Sequence, residues 1–379
     1  MKIAVPKEMS PGERRVALVP ESCKKLVAKG ILVSVEAGAG TSAFLSDDAY
    51  REAGATIESD TAALWANADF VLTVQPPTPA EVARCREGAM LLGSLLPIKN
   101  LDTIRALANR KVTAFSTDCI PRTTRAQSMD TLSAMSNIAG YKAVLIAANE
   151  LDKYFPMFMT AAGTIFAARV FVIGAGVAGL QAIATAKRLG ATVVATDTRR
   201  VVADQIQSVG GKFVGVESDE DAQTAAGYAK ELSADFYRKQ GELIAQQCAA
   251  NDVVITTALI GGVKAPRLIT AEMVRKMRPG SVIVDLAAEA GGNCELTKPG
   301  QIAMENGVKI VGPLNLPSEM PRDASTLYSR NLATFVLTFW KDKEGQFNLD
   351  LNDDILKGAA VTHQGQVLHE AARTALAGA

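Results

Sequence analysis

The chain is poor in the residues that most often move protons or hold metal ions. Its 379 residues include only two histidines, His363 and His369, both within the last seventeen positions. Neither histidine stands at a strand end or in a glycine-rich loop, so we interpret both as surface residues of a C-terminal segment. The sequence also shows no credible Ser-His-Asp or Cys-His arrangement and no group of residues with metal-ligand spacing. Triad hydrolases and metal-dependent enzymes are therefore not expected.

Cysteine pairs, net charge and long apolar runs are scarce as well. The five cysteines are scattered without a CxxC pair, which fits a reduced compartment and argues against disulfides or structural zinc. Forty basic and forty acidic residues cancel, so we expect no nucleic-acid surface and no polybasic membrane anchor. The longest uncharged stretch, residues 170–186, is too short to span a bilayer comfortably. The opening segment lacks the pattern of a signal peptide. These absences predict a cytoplasmic protein without direct membrane insertion.

One segment combines a strand, three glycines, a helix and an acidic residue. An apolar strand at residues 170–173 leads into Gly174, Gly176 and Gly179, and a helix follows to about residue 189. A second strand ends on Asp197, eighteen residues after the last glycine. A tight turn, close backbone approach to a pyrophosphate and close helix–strand packing explain the three glycines in that order. The helix N-terminus supplies N–H groups for the phosphates. This context predicts a dinucleotide-binding unit; the alternative is a glycine-rich turn in an ordinary α/β domain.

The acidic residue distinguishes the two common nicotinamide dinucleotides. Asp197 can accept hydrogen bonds from an adenosine ribose, and its charge should repel a 2′-phosphate, which favours NAD(H) as the cofactor. Arg199 and Arg200 keep NADP(H) as an alternative. The cofactor-binding residues predicted in this unit are Gly174, Ala175, Gly176, Val177, Gly179, Asp197, Thr198 and Arg199.

The remaining pattern predicts an α/β fold. Short apolar runs alternate with helical patterns through the first 120 residues, which is typical of parallel βαβ units. We expect two Rossmann-like domains with parallel sheets, joined by two long helices around an interdomain cleft that would hold the nicotinamide. The expected first domain comprises residues 1–126 and 341–379, and the NAD-binding domain comprises residues 151–324. Residues 127–150 and 325–340 would form the connecting and the returning helix.

Two polar segments are candidates for function. Residues 217–240 are too polar for a core and include Gly227 and Tyr228, so they form either a solvated loop or a lid that closes on the cofactor. The second segment contains Arg122, Gln127, Asp130 and Ser133. If a helix begins near Gln127, Asp130 and Ser133 lie on roughly one face, where they could bind a carboxamide. The alternative is that Asp130 and Ser128 cap the helix while the arginines are solvated.

Several motifs along the chain resemble one family closely. They include Arg125-Ala-Gln-Ser-Met-Asp130, Ser136-Asn-Ile-Ala-Gly-Tyr141, Ala226-Gly-Tyr228, Thr256-Thr-Ala-Leu-Ile260 and Asp285-Leu-Ala-Ala-Glu-Ala-Gly-Gly-Asn293. The family is the NAD(H)-binding component, domain I, of proton-translocating NAD(P) transhydrogenase. The resemblance covers nearly the whole chain and weakens in parts of residues 41–110 and after about residue 340.

This resemblance implies roles for individual residues. Arg122, Gln127, Asp130 and Ser133 would surround the dihydronicotinamide and its ribose as the catalytic group, with Gln127 reaching towards NADP(H) on a partner subunit. Tyr228 would belong to a loop that folds over the nucleotide, and Ala258 and Leu259 would contact it. The resemblance further implies a homodimer that transfers hydride to NADP⁺ on a separate subunit. Membrane-spanning partners would couple this transfer to proton translocation and hold the chain on the cytoplasmic face of the inner membrane.

The chain is also similar to alanine dehydrogenase, which shares the two-domain fold and the pattern around Arg15. That enzyme serves its substrate with a lysine and a histidine, and the aligned positions here are Gln75 and Leu96. Neither side chain can bind a carboxylate ionically or carry a catalytic proton, which argues against amino-acid oxidation. Direct transfer between two nicotinamides needs no acid or base, only positioning and exclusion of water. An alanine-dehydrogenase-like enzyme and a non-catalytic NAD-binding protein remain the alternatives.

Overall fold

A computed structural model describes residues 1–216, 233–259 and 264–378 of the chain. In these residues the strands are β1 Lys2–Val5, β2 Leu32–Glu36, β3 Thr56–Glu58, β4 Phe70–Leu72, β5 Met90–Gly93, β6 Thr113–Ser116, β7 Phe158–Thr160, β8 Gly163–Ile165, β9 Arg169–Ile173, β10 Thr192–Thr196, β11 Lys212–Phe213, β12 Val253–Thr256, β13 Val282–Asp285, β14 Ile302–Glu305, β15 Val308–Val311, β16 Trp340–Lys341, β17 Gln346–Phe347, β18 Ala360–His363 and β19 Gln366–Val367. The helices are α1 Pro20–Val27, α2 Asp47–Glu52, α3 Thr61–Ala66, α4 Pro79–Val82, α5 Leu101–Asn109, α6 Thr131–Glu150, α7 Val177–Arg188, α8 Ala203–Ser208, α9 Ala234–Ala250, α10 Ala271–Arg275, α11 Pro321–Thr338, α12 Asp354–Ala359 and α13 Glu370–Ala377.

The chain divides into two compact units. Unit 1 comprises Met1–Met135 and Pro317–Ala379, and unit 2 comprises Ser136–Leu316. The division falls within α6 and again within a 3-10 turn at Leu316–Glu319. Helix α11 lies in unit 1, because the hydroxyls of Ser325 and Ser329 accept hydrogen bonds from the N–H groups of Val16 and Val19. The chain therefore returns to unit 1 before α11, earlier than the sequence expectation of a returning helix at residues 325–340.

Unit 1 is built on a sheet with the strand order β19-β18-β6-β5-β4-β1-β2-β3. Strands β1 to β6 pair in parallel, whereas β18 and β19 pair antiparallel at one edge. Alternate residues of β1 enter different cores, with Ile3 and Val5 in one and Ala4 in the other. Burial on both faces is typical of parallel sheets covered by helices.

Unit 2 repeats this plan with the strand order β11-β10-β9-β12-β13-β15-β14. All pairs are parallel except β14 with β15. Val170 and Val172 of β9 enter one core, and Phe171 and Ile173 enter the other. In each sheet the strand order reverses beside the first strand, at β1–β4 in unit 1 and at β9–β12 in unit 2. The predicted α/β class with two parallel-dominated, Rossmann-like domains is confirmed.

Several sequence expectations differ in detail. The polar segment expected to extend to residue 240 gives way earlier to a helix, because Ser233 caps α9 by accepting a hydrogen bond from Phe236 N–H. The two histidines have structural partners: His363 lies 3.0 Å from the Thr113 hydroxyl, and His369 caps α13. No helix among the described residues is long and apolar enough to cross a membrane.

Candidate functional site

The glycine-rich turn after β9 places its three glycines in different surroundings. Gly174 has φ +97°, and a Cβ there would lie 2.5 Å from the Thr257 hydroxyl oxygen. A Cβ on Gly179 would lie 1.8 Å from the carbonyl oxygen of Gly174, so only glycine allows the helix to pack this closely. A Cβ on Gly176 would meet no atom within 4 Å of the described protein. The first and third glycines are therefore required by packing, and the second faces open space.

Helix α7 begins at this turn with an open N-terminus. Its N-cap is Gly176, and within the described part of the chain no side chain caps the first turn. Val177, the first helical residue, is half-exposed. The first N–H groups of a helix have no intrahelical acceptor, and the helix dipole adds positive potential at that end. The turn thus offers N–H donors and space to a phosphate group.

Asp197, which follows β10, is paired with Arg199. The guanidinium donates to both carboxylate oxygens, from Nε at 2.9 Å and from Nη2 at 2.8 Å. The backbone N–H groups of Arg199 and Ala175 donate to the same carboxylate at 2.8 Å each. This pairing raises the pKa of Arg199, with its side-chain hydrogen bonding to Asp197 as the main cause. Sequence reasoning treated the two residues separately, whereas in the structure Arg199 offsets much of the charge that would repel a 2′-phosphate.

The loop after β12 lies against the glycine turn. The Thr257 hydroxyl donates a hydrogen bond to the Gly174 carbonyl at 3.1 Å. The next residue, Ala258, has both backbone polar groups bound by the side chain of Asn293, which accepts from its N–H and donates to its carbonyl. Leu259 is half-exposed. The structure thus brings the predicted Ala258 beside the predicted Gly174, and it adds Asn293, which sequence reasoning assigned no individual role.

The polar cluster of unit 1 begins in a 3-10 helix rather than in an α-helix. Thr123 caps this 3-10 segment, Thr124–Met129, by accepting a hydrogen bond from Ala126 N–H. Helix α6 begins at Thr131, four residues later than expected, because the Asp130 carboxylate accepts from Ser133 N–H at 2.8 Å. The Ser133 hydroxyl donates to the same carboxylate at 2.6 Å. Asp130 therefore caps the helix, as the capping alternative predicts, and at the same time forms a donor–acceptor pair with Ser133.

The other predicted members of this cluster are solvent-exposed. Gln127 lies in the 3-10 helix, and its carbonyl accepts the N–H of Asp130. Arg122 precedes the 3-10 helix. Ser128 has no capping role, and its carbonyl instead accepts a hydrogen bond from Asn331. Arg122 and Gln127 therefore lie on the surface of unit 1, whereas Asp130 and Ser133 are half-buried. Tyr228 and Gly227 lie outside the described residues.

Sequence reasoning missed a glycine that fixes the start of α7. A Cβ on Gly140 in α6 would lie 2.1 Å from the carbonyl oxygen of Ala178. Nearby, the Asn137 side chain donates to the Gln181 side chain at 3.1 Å. Both α6 residues belong to the motif Ser136-Asn-Ile-Ala-Gly-Tyr141, which the sequence analysis uses for its resemblance and not for packing. Close contact of α6 with the first turns of α7 explains why that motif needs a small residue.

The described residues of unit 2 fit a dinucleotide. They combine the uncapped N-terminus of α7, open space at Gly176 and the Asp197 carboxylate just after β10. No group of three or more His, Cys, Asp or Glu residues that could hold a metal ion occurs in the described ranges. The arrangement can bind a pyrophosphate and a ribose.

Two family models together match nearly the whole chain. The alanine dehydrogenase/PNT N-terminal domain matches residues 4–139, and the corresponding C-terminal domain matches residues 143–370. An NAD(P) transhydrogenase alpha-subunit chain of Rhodospirillum rubrum is 52% identical over 379 residues, covering 98% of both chains. The subunit alpha of Haemophilus influenzae is 43% identical, covering 97% of this chain and 71% of that subunit. The alanine dehydrogenase of Bacillus subtilis is 30% identical, covering 98% and 93%.

Solved structures agree with these matches. A transhydrogenase from Sinorhizobium meliloti superposes with a TM-score of 0.88 at 45% identity, covering 97% of this chain and 100% of that one. An L-alanine dehydrogenase gives a TM-score of 0.84 at 26% identity, covering 100% of this chain and 99% of that one. The chain belongs to the alanine dehydrogenase/PNT family, on the branch of the NAD(P) transhydrogenase alpha subunits.

Proposed function

We propose that the chain is the NAD(H)-binding component of a proton-translocating NAD(P) transhydrogenase. Its reaction is direct hydride transfer between NADH bound to this chain and NADP⁺ bound to a partner subunit. The single observation that carries the proposal is the glycine turn of unit 2, where an open helix N-terminus and open space at Gly176 suit a pyrophosphate. The similarity to transhydrogenase alpha subunits supports the rest of the assignment.

In this proposal each part of the chain has a limited task. Gly174, Ala175, Gly176, Val177 and Gly179 form the turn that binds the pyrophosphate. The N–H groups at the start of α7 are its donors, because those of Gly174 and Ala175 already donate to the Thr196 carbonyl and the Asp197 carboxylate. Asp197, with Thr198 and Arg199, binds the adenosine ribose, and Ala258 and Leu259 line the cofactor. Bound NADH supplies the hydride. Arg122, Gln127, Asp130 and Ser133 position the nicotinamide end. There Asp130 offers a carboxamide an acceptor, and the Ser133 hydroxyl offers a donor when it turns from Asp130 to the ligand.

The proposal also accounts for the lack of an acid or base at two positions of unit 1. The side chain of Gln75 is bound to Glu13, to which its Nε2 donates at 2.7 Å. Leu96 is apolar and has φ +43°, with its N–H held by Asp118 at 2.9 Å. Amino-acid oxidation must move a proton with the hydride, whereas exchange between two nicotinamides does not. These side chains therefore favour transhydrogenation over the alanine-dehydrogenase alternative.

Gln127 provides the test of the catalytic assignment. Shortening this side chain in Gln127→Asn should slow hydride transfer about 100-fold through misplacement of the reacting groups, while NADH affinity stays within about twofold. The matched control is Gln301→Asn, at an exposed glutamine of unit 2, which should leave both quantities unchanged. Rates would be followed by stopped flow with the NADP(H)-binding partner subunit, and affinity by NADH titration. Loss of NADH binding with normal transfer would contradict the assignment.

We further propose that the chain forms a homodimer and associates with the membrane through its partner subunits. The antiparallel pair β7–β8 supports a dimer, because every residue in it is exposed. Met159 in this pair is 79% exposed and Phe166 just after it is 73% exposed. Two short strands are not stable alone in water, and apolar ribbons of this kind usually pack against a partner.

We propose that the β7–β8 ribbon packs against a second copy of the chain. The double variant Met159→Glu/Phe166→Glu should convert dimer to monomer in light scattering after size exclusion. Exposed Met304→Glu, on β14 of the same unit, is the control and should leave the dimer intact. A monomeric wild-type chain at micromolar concentration, or a double variant that remains dimeric, would refute the proposed dimer.

A further inference from the structure

Asn293 follows β13 and is fully buried in unit 2. Its side-chain oxygen accepts a hydrogen bond from Ala258 N–H at 3.1 Å, and its nitrogen donates to the carbonyls of Ala258 and Pro266 at 2.8 and 2.9 Å. Its backbone carbonyl accepts the N–H groups of Leu268 and Ile269. One residue therefore binds the chain at Ala258 and again at residues 266–269.

The side chain of Asn293 matches this task chemically. The position requires one acceptor and two donors in a single planar fork, and a primary amide supplies both. Aspartate would keep the acceptor and lose both donors, which would leave a carboxylate facing two carbonyl oxygens. An alanine would leave the N–H and carbonyl of Ala258 and the carbonyl of Pro266 without these hydrogen bonds.

A buried aspartate holds Asn293 in place. Asp285 is fully buried, and its carboxylate accepts from Cys294 N–H at 3.0 Å and from the Thr297 hydroxyl at 2.6 Å. Gly292 has φ +81°, and a Cβ there would lie 2.8 Å from the Asp285 carboxylate. The residues on either side of Asn293 are thus fixed by Asp285, so the amide presented to Ala258 is preorganised.

The chain that Asn293 holds lies directly against the cofactor turn. Ala258 follows Thr257, whose hydroxyl donates to the carbonyls of Ile173 and Gly174. We propose that Asn293 is a positioning residue for NAD(H), which fixes the Thr257–Ala258 backbone beside the glycine turn. This inference rests on the proposed function, since it assigns to the same cofactor site a residue that does not itself touch the nucleotide.

The test compares Asn293 with a buried asparagine of the same unit. Asn251 is also buried, and its side chain donates to the Gln247 carbonyl at the end of α9. We expect Asn293→Ala to raise the dissociation constant of NADH about tenfold or more, measured by titration of the chain alone. We expect Asn251→Ala and Asn293→Ala to lower the melting temperature to a similar extent. Asn251→Ala should nevertheless leave NADH affinity unchanged. If Asn293→Ala does not fold, the near-isosteric Asn293→Asp serves instead, with the same expected loss of affinity.

A second readout separates positioning from plain stability. At saturating NADH and with the partner subunit present, Asn293→Asp should also slow hydride transfer, whereas Asn251→Ala should transfer at the wild-type rate. NADH affinity equal to wild type in both Asn293 variants, or an equal loss in Asn251→Ala, would overturn the inference. A wild-type chain that binds NADH but transfers no hydride would contradict the proposed function and leave the affinity comparison decisive for Asn293.

Discussion

The two units place different chemistry at the same point of the same architecture. In unit 2 the strand order reverses between β9 and β12, and the loop after β9 is a glycine turn with an open helix N-terminus. In unit 1 it reverses between β1 and β4. There the Glu8 carboxylate, from the loop after β1, accepts hydrogen bonds from the N–H groups of Val74 and Gln75 after β4. At this point of unit 1, the carboxyl group of Glu8 accepts hydrogen bonds from backbone N–H groups. At the same point of unit 2, the N–H groups at the start of α7 have no side-chain acceptor among the described residues.

The difference teaches that the fold alone does not create a cofactor site. Open α/β sheets bind ligands where the strand order reverses. Among the described residues, the N–H groups at the start of α7 are uncapped in unit 2, whereas those of Val74 and Gln75 in unit 1 donate to Glu8. In the same loop of unit 1, the buried side chains of Glu13 and Arg15 form a salt bridge at 2.7 Å. A phosphate would find no open backbone donors after β4 at this position, because the N–H groups of Val74 and Gln75 already donate to Glu8. The three glycines, rather than the sheet, therefore carry the prediction of dinucleotide binding.

The largest expected effect comes from closing the glycine turn of unit 2. Gly179→Ala places a methyl group 1.8 Å from the Gly174 carbonyl oxygen, which should destabilise unit 2 by about 1–3 kcal/mol and abolish NADH binding. Gly176→Ala is the matched control for folding, since its methyl group meets open space. It should keep the melting temperature and lose NADH affinity only. Equal melting temperatures for the two variants would show that Gly179 is no more important for packing than Gly176.

A smaller effect is expected at the Asp197–Arg199 pair. Asp197→Asn removes the charge that holds the Arg199 guanidinium, which frees the guanidinium for a 2′-phosphate. We expect NADH affinity to fall about tenfold and the preference for NADH over NADPH to narrow by a similar factor. Titrations of both dinucleotides would measure this, with Arg188→Met, at an exposed arginine in the last turn of α7, as a control. An unchanged preference would mean that Asp197 does not select the cofactor.

The smallest expected effect is a pH dependence of unit 1. Burial raises the pKa of Glu8 to about 8, despite its two backbone hydrogen bonds. The folded state therefore holds a proton that the unfolded chain releases near pH 4.5. Stability from this group is complete at low pH and falls as pH rises to about 8. As pH rises from 5 to 8, the free energy of unfolding of wild type should fall relative to that of Glu8→Gln, which does not titrate.

Both tryptophans, Trp65 and Trp340, lie in unit 1, so their fluorescence during urea unfolding reports this unit.

The pKa of Glu13 is shifted in the opposite direction from that of Glu8, so its effect on the stability of unit 1 appears at lower pH. Burial raises its pKa, but the hydrogen bonds and charge of Arg15 outweigh burial and hold the pKa at about 2. The stabilisation that ionised Glu13 gives the folded state is present above pH 4.5 and is lost as pH falls towards 2. Parallel stability curves for wild type and Glu8→Gln between pH 5 and 8 would show that Glu8 has an ordinary pKa.

Much of the fold follows from local sequence patterns. The apolar runs at β1, β2, β12 and β15 are located by sequence because most of their residues are buried, and the glycine turn is located by its spacing. Short strands such as β3 and β14 were not predicted. Their patterns are half-exposed and lack a continuous apolar run.

The site was less accessible to sequence reasoning because it depends on distant partners. The contact of Gly140 with Ala178 joins two helices that the sequence does not place side by side. The pairing of Arg199 with Asp197 depends on side-chain rotamers. Two caps follow each other before α6, Thr123 for the 3-10 segment and Asp130 for α6, and spacing alone cannot show which of them begins the α-helix. Whether Arg122, Gln127, Asp130 and Ser133 serve the nicotinamide stays a prediction.

The central claim is tested most directly by reduction of an NAD⁺ analogue with NADPH. The chain would be measured alone and then with an NADP(H)-binding transhydrogenase subunit. The account predicts turnover only in the mixture, since each chain contributes one dinucleotide. No turnover in the mixture, together with NADH oxidation by the chain alone that depends on pyruvate and ammonium, would contradict it and indicate an amino-acid dehydrogenase.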